Sequence, residues 1–261
     1  MSNFDIQYMN LIMDILDNGY YDSNRTTDKT KKVFGKTLRF NLQEEFPILT
    51  LKKTGFKTLT QEMMWIYQVG SNDVKWLNDR GITIWDEWKF ADNTIGKAYG
   101  YQIKKYDQVG KLIDSLKNNP QSRRMVLNLW NVEDLDEMAL TPCMYNHVAD
   151  VSNGKLNWHT TIRSSDAALG LPYNVAQTAV LVHMLAQVAG LQVGELLFTL
   201  VNAHLYEQHF EPIEAIFERK PYPAPKLWIN ESITNFYDFT IDDIKLIDYK
   251  YHPHISMRVS V

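Results

Sequence analysis

The stretch that decides the fold reads VADVSNGKLNWHTTIRSSDAALGLPYNVAQTAVLVHMLAQVAGLQVG, residues 148–194. In its first part Leu156, Trp158, Thr160 and Ile162 alternate with Asn157, His159 and Thr161, the period of a strand with one buried face. Asn153-Gly154 suits a tight hairpin turn, so two antiparallel strands are expected. The second part, residues 167–194, holds no Asp, Glu, Lys or Arg. Its length raises the question of a membrane span, but Gly170, Pro172, Asn174, Gln177, His183 and Gln187 interrupt it, and no purely apolar run reaches the roughly 20 residues a bilayer needs. A buried central helix from about residue 175 to 187 is the better reading. A hairpin joined to a buried helix makes the class α+β.

Working outward, Ile6, Met9, Ile12, Met13 and Leu16 have the spacing of one buried helical face, so residues 4–19 predict an amphipathic helix ending near Gly19. A polar, cation-rich stretch over residues 23–32 reads as a mobile surface loop before a strand over residues 33–40. Residues 58–70, TLTQEMMWIYQVG, predict a mostly apolar helix containing a single acid, Glu62. Ile255, Met257, Val259 and Val261 alternate with polar residues, which predicts a C-terminal strand. No repeat, low-complexity tract or long linker divides the chain, and residues 221–225 are only a short punctuated loop, so residues 1–261 are read as one domain.

With 261 residues, 45% hydrophobic content, 7 Trp, 14 Tyr and 11 Phe, the chain can build one sizeable core. A net charge of -4 gives no basic balance for a nucleic-acid backbone, so no polymeric nucleic-acid partner is expected. The N-terminus lacks a secretory pattern, and one cysteine cannot form an internal disulfide; a reducing cytoplasm fits best.

A search for self-contained motifs finds no phosphate-binding Gly-rich loop with Lys-Ser/Thr, no Gly-x-Gly-x-x-Gly and no paired Cys for zinc. His204 and His209 lack a nearby thiol or acid pattern, and no metal is expected. Cys143, in Thr141-Pro142-Cys143, is a nucleophile if its thiolate is stabilised, although alone it reads more readily as an inert buried thiol. Arg123-Arg124 and Arg163-Ser164 offer forks and a hydroxyl that suit a phosphate; separately, each also reads as surface charge.

Eight segments change these odds by occurring together and in order: FPILTLKK (46–53), QEMMW around Glu62, TIWDEW (83–88), GKAYG (96–100), SRR (122–124), LTPC (140–143), RSSDAALGLPYNVAQ (163–177) and HLY (204–206). In these the chain resembles the thymidylate synthase family over nearly its whole length. The resemblance implies an α/β sandwich with a large mixed sheet at a homodimer interface and a long buried central helix. It implies addition of Cys143 to C6 of deoxyuridylate, so that C5 takes the methylene group of 5,10-methylenetetrahydrofolate.

The same resemblance assigns Glu62 to water and proton transfers, Tyr99 to removal of the C5 proton and Asn174 to the pyrimidine edge, where its donor and acceptor complement uracil. Arg25, Arg163 and Ser164 would grip the phosphate, with Arg123 and Arg124 reaching across from a second subunit. His204 and Tyr206 would hold the sugar 3′-hydroxyl, and Asp166 would face both nucleotide and folate. Lys52, Trp85, Trp88, Leu169 and Gly170 fall around the folate, for both tryptophans with core packing as the alternative, and Val261 ends a tail that closes over the ligands.

Some positions depart from the family's pattern: Met144 stands where His is usual, Ile162 where Gln is usual, Val201-Asn202 where Gly-Asp is usual, and Thr26-Thr27-Asp28-Lys29-Thr30 replaces a Gly-rich loop. A thinner polar network near C4 of the ring is the expected result. The departures also suit the sister reaction, a deoxyuridylate or cytidylate 5-hydroxymethylase in which water captures the methylene intermediate. A catalytically silent nucleotide- or RNA-binding homologue is a third reading.

Overall fold

The computed structural model describes residues 2–22 and 28–260. Arg25 and Val261, both assigned above from resemblance, lie outside the described residues. Helix α1, Asn3–Asn18, starts where Ser2 Oγ accepts from Asp5 N–H and buries Phe4, Tyr8, Leu11, Ile12 and Ile15. The buried face is therefore turned from the one expected: Ile12 is shared, Met9 and Leu16 are half-buried, and Ile6 and Met13 are exposed, because the aromatic Phe4 and Tyr8 take the core side. Strands β1, Tyr20–Asp22, and β2, Thr30–Asn41, follow as an antiparallel pair. The strand expected over 33–40 is therefore longer at both ends.

Helix α2, Phe56–Met63, carries Glu62 and passes directly into a π-turn, Met64–Gln68. The sequence predicts one regular helix here; the structure instead closes the end with i→i+5 bonding, Val69 N–H to Met64 O at 2.8 Å. Helices α3, Lys75–Asn78, α4, Gly100–Lys105, and α5, Gln108–Asn118, precede the short strand β3, Val126–Asn128.

The hairpin forms as read. Strands β4, Met144–Ser152, and β5, Lys155–Ile162, are antiparallel, and Asn153 and Gly154 take φ values of 52° and 73°, the double positive φ that a two-residue hairpin turn requires. After the short β6, Ser165–Asp166, helix α6 spans Gly170–Ala189. It is longer than the 175–187 expected because Asp166 Oδ1 accepts from Ala168 and Leu169 N–H and sets the turn before it. At its end Gly190, φ 69°, closes a left-handed cap. No helix among the described residues is long and apolar enough to cross a membrane.

Strand β7, Gln192–Tyr206, pairs parallel with β5 and β6 and antiparallel with β2. The mixed sheet runs β1-β2-β7-β5-β4-β3, with β6 also on β7. Helix α7, Phe210–Glu214, and the separate pair β8, Lys226–Ile229, and β9, Ile244–Ile247, complete the chain. Buried residues from Phe4 to Ile255 form one core cluster in which α6 is almost wholly enclosed.

The C-terminal strand predicted from residues 255–261 does not form in the described part, residues 255–260. Ile255 is buried and Val259 is 53% exposed, so the alternating side chains do not share a buried face. The tail is instead tied by isolated bonds, such as that between His209 Nε2 and Arg258 O at 2.7 Å.

Candidate active site

The residues of GKAYG show why glycine is required at both ends. Gly96 has φ 66°, and a Cβ there would lie 2.0 Å from Glu137 O; a Cβ at Gly100 would lie 2.1 Å from Ser71 O. Between them Tyr99 is held at φ 45°, ψ -103°, a conformation costly for a tyrosine and tolerated only where surroundings impose it. The result is a contact with the cysteine: the Tyr99 hydroxyl oxygen accepts the Cys143 N–H at 3.1 Å. Burial first, and then the Cys143 charge, push the Tyr99 hydroxyl well above its ordinary pKa, so it stays protonated.

Glu62 is buried on the other wall. Trp85 Nε1 donates to Oε1 at 2.7 Å and Gln177 Nε2 to Oε2 at 2.9 Å. Desolvation outweighs these two bonds and pushes the carboxyl up to about 7, the range in which an acid exchanges protons readily at neutral pH. Trp85 also packs edge-on to Tyr99, ring centres 5.2 Å apart, so one indole links the acid to the tyrosine. Gln177 had no role in the sequence reading; a polar side chain inside a charge-free helix, three residues from Asn174, was the available signal.

Cys143 lies half-buried just before β4, and its carbonyl accepts from Arg163 N–H at 2.9 Å. The Arg163 guanidinium grips the same segment: Nε donates to Pro142 O at 3.0 Å, and Nη2 to Thr141 O at 2.9 Å and Oγ1 at 2.7 Å. Arg163 thus braces the loop that carries Cys143, and the two donors on Nη1 are left over to meet an anion. Ser164 is half-buried at the same corner. Arg123 and Arg124 are exposed in the single chain.

The departures at 144 and 162 prove to be one feature. Met144 and Ile162 are direct cross-strand partners, both buried, and Thr178 Oγ1, which donates to Asn174 O at 2.8 Å, lies 3.5 Å from the Met144 sulfur. Two apolar side chains face each other, so neither strands a polar group. Asn202 likewise finds a partner, its Oδ1 3.0 Å from His204 Nδ1.

At the start of α6, Asp166, Leu169, Gly170 and Asn174 come together; a Cβ on Gly170 would sit 3.8 Å from Asp166 Cβ and 3.9 Å from Asn174 Oδ1. Asp166 pairs in register with His204, whose ring is 5.3 Å from that of Tyr206. Lys52 is buried and donates to Ala168 O, with its pKa lowered by desolvation to about 8. It therefore braces the turn before α6 from beneath. Trp88 packs against Trp85 at 5.9 Å, and its Nε1 is buried without a hydrogen-bond partner, a donor suited to a polar atom of a bound aromatic ring system. Among the described residues no group of His, Cys, Asp or Glu is placed to hold a metal ion.

Comparison with known proteins agrees with this geometry. A sequence model of the family described as thymidylate synthase matches residues 6–261. The thymidylate synthase of Clostridium beijerinckii is 52% identical over 263 residues, covering 100% of both chains. Thymidylate synthase 1 of Bacillus subtilis is 45% identical, again over 100% of both. The solved structure of thermostable thymidylate synthase A from Bacillus subtilis superposes with a TM-score of 0.95 at 45% identity, covering 99% of each chain. With its fold and its full length both matched, the chain belongs to the thymidylate synthase family.

Proposed function

We propose that this chain catalyses the reductive methylation of dUMP to dTMP, with Cys143 as nucleophile at C6 of the pyrimidine. 5,10-Methylenetetrahydrofolate is the co-substrate and supplies both the one-carbon unit and the hydride. The observation that carries the assignment of roles is the joint hold on the cysteine and the acid: Tyr99 accepts Cys143 N–H, while Trp85 ties Glu62 to the same aromatic wall. Sulfur addition at C6 makes C5 a carbon nucleophile, which forms the new bond. Glu62, poised near neutrality, serves the proton transfers; Tyr99, kept protonated, assists loss of the C5 proton by relay rather than as a phenolate.

Asn174 reads the uracil edge, His204 and Tyr206 hold the sugar, and Asp166 lies between nucleotide and folate. Arg163 and Ser164 meet the phosphate together with Arg25. Trp85, Trp88, Leu169 and Gly170 surround the folate ring, Lys52 supports that floor, and the tail ending at Val261 closes over it. The whole chain acts as one catalytic domain in a reducing cytoplasm, which suits a thiolate nucleophile. It works as a homodimer with Arg123 and Arg124 entering the neighbouring site: both are exposed in one chain, and Phe34, 85% exposed on β2, offers apolar surface for a partner. The hydroxymethylase reading is not favoured, because relatives matching end to end are named thymidylate synthases.

The test is to incubate the protein with dUMP and 5,10-methylenetetrahydrofolate and to weigh the nucleotide product while following dihydrofolate. A methyl gain with dihydrofolate is expected. A hydroxymethyl gain with tetrahydrofolate would move the chain to the water-quenched reaction, and no gain would overturn both.

A further inference from the structure

Outside the machinery assigned above, one buried hydrogen bond joins the helix carrying the acid to the strand leaving the nucleophile. The Tyr67 hydroxyl lies 2.7 Å from His147 Nε2, and both residues are buried. Tyr67 belongs to the π-turn that continues from Glu62, and His147 to β4, which begins directly after Cys143. In an unbroken α-helix a residue five places on lies roughly 140° round the axis. The wider π-turn changes that phase, and Tyr67 comes within the field of Glu62.

His147 is held from its other side as well. Thr160, its partner across the hairpin, places Oγ1 2.9 Å from Nδ1, and Trp158 Nε1 approaches the same nitrogen at 3.3 Å. An indole N–H only donates, so Nδ1 is the acceptor and the proton of the neutral ring sits on Nε2. Burial keeps that ring neutral. His147 therefore donates to the Tyr67 oxygen. Toward Cys143 on the same buried face, Met144 and Ile162 offer no such donor, so the polar hold of β4 on the π-turn rests on His147.

We propose that Tyr67 and His147 are a positioning pair for the reaction: their bond fixes Glu62 relative to Cys143, and Trp158 and Thr160 set its direction by selecting the Nε2–H tautomer. The inference rests on the roles given above to Cys143 and Glu62. Tyr67→Phe is expected to lower kcat about tenfold with KM for dUMP within about twofold, since the nucleotide's own contacts are untouched. His147→Leu should show the same split, and His147→Gln, which keeps a side-chain N–H, should recover kcat to within about threefold of the parent. Parent-like kcat in Tyr67→Phe and His147→Leu, or no recovery in His147→Gln, overturns the proposal. Should a variant fail to fold, the imidazole ¹⁵N resonances of the intact parent decide: a protonated Nε2 is expected, and a protonated Nδ1 overturns it. A parent that makes no dTMP overturns the underlying reading of the reaction, whereas an active parent with equally active variants overturns only this one.

Discussion

Residues 155–162 and 255–260 alternate apolar and polar side chains with the same period, yet the first forms β5 and the second forms no strand. Strand β5 lies between β4 and β7, and Leu156, Trp158, Thr160 and Ile162 are all buried. The tail keeps Ile255 buried and leaves its polar atoms to point contacts: Gln208 Nε2 to Ser260 Oγ at 2.6 Å and Ser260 Oγ to Asp28 at 2.8 Å. Alternation records which side chains suit a buried face; a strand also needs neighbouring backbone to complete its ladder. The difference separates a wall laddered on both sides from an edge held by a few side-chain bonds.

The largest effect should come from the wall. Cys143→Ser is expected to reduce dTMP formation by about 1000-fold or more while calorimetric dUMP affinity changes less than about threefold, because the hydroxyl is a poor nucleophile of similar size. Loss of dUMP binding to the same degree would instead make the cysteine part of the binding surface.

Glu62→Gln should follow, with kcat lowered about 100-fold. It also carries a stability signature. The carboxyl's folded pKa, about 7, lies above its ordinary value of 4.5, so its stabilising contribution is full below about pH 4.5 and is lost as pH rises through about 7. At pH 8 the ionised, buried group costs about 3 kcal/mol relative to pH 4, and Glu62→Gln should gain thermal stability over the parent between those limits. A difference in melting temperature that does not change with pH would show that the group is not desolvated as described.

Two paired truncations address the alternation itself. Ile162→Ala should cost about 2–5 kcal/mol in a denaturant melt, whereas Val259→Ala should cost below about 0.5 kcal/mol. Equal losses would mean that the tail is packed like the sheet. Smallest of all, Gln208→Ala removes bonds to Asp28 and Ser260 and should raise the folate KM about three- to fivefold with little change in melting temperature. An unchanged KM would leave that latch without a part in closure.

Much of this was legible in the chain before any coordinates. The existence of helix α1, the hairpin and α6 follows from periodicity and from Asn153-Gly154, because those signals are local, whereas the face that α1 buries does not: Ile6 and Met13 are exposed and Phe4 and Tyr8 are buried. The π-turn was not, since i→i+5 bonding leaves no compositional mark on MWIYQ. The alternation over 255–261 predicts a strand that does not form in residues 255–260, because the pattern carries no information about a partner. In the site, Cys143, Glu62, Tyr99, Asp166 and Asn174 are assigned by resemblance to the family, whereas Gln177 on Glu62 and Tyr67 on His147 are contacts between residues 115 and 80 positions apart. The apolar pairing of Met144 with Ile162 belongs to the same class: it is visible only in the register of the hairpin.

The sheet order also bears on how the chain comes off the ribosome. Strand β2 finds its main neighbour in β7, with Thr30 opposite Tyr206 and Asn41 opposite Glu195. At about 5–20 residues per second, the nascent β2 waits roughly 8–35 s for that neighbour to be synthesised. During that time Val33, Leu38 and Phe40, all buried in the finished sheet, have no β7 to cover them. The hairpin and α6 are contiguous in sequence and meet no such delay, so early termination or slow translation leaves β2 as the exposed, adhesive strand.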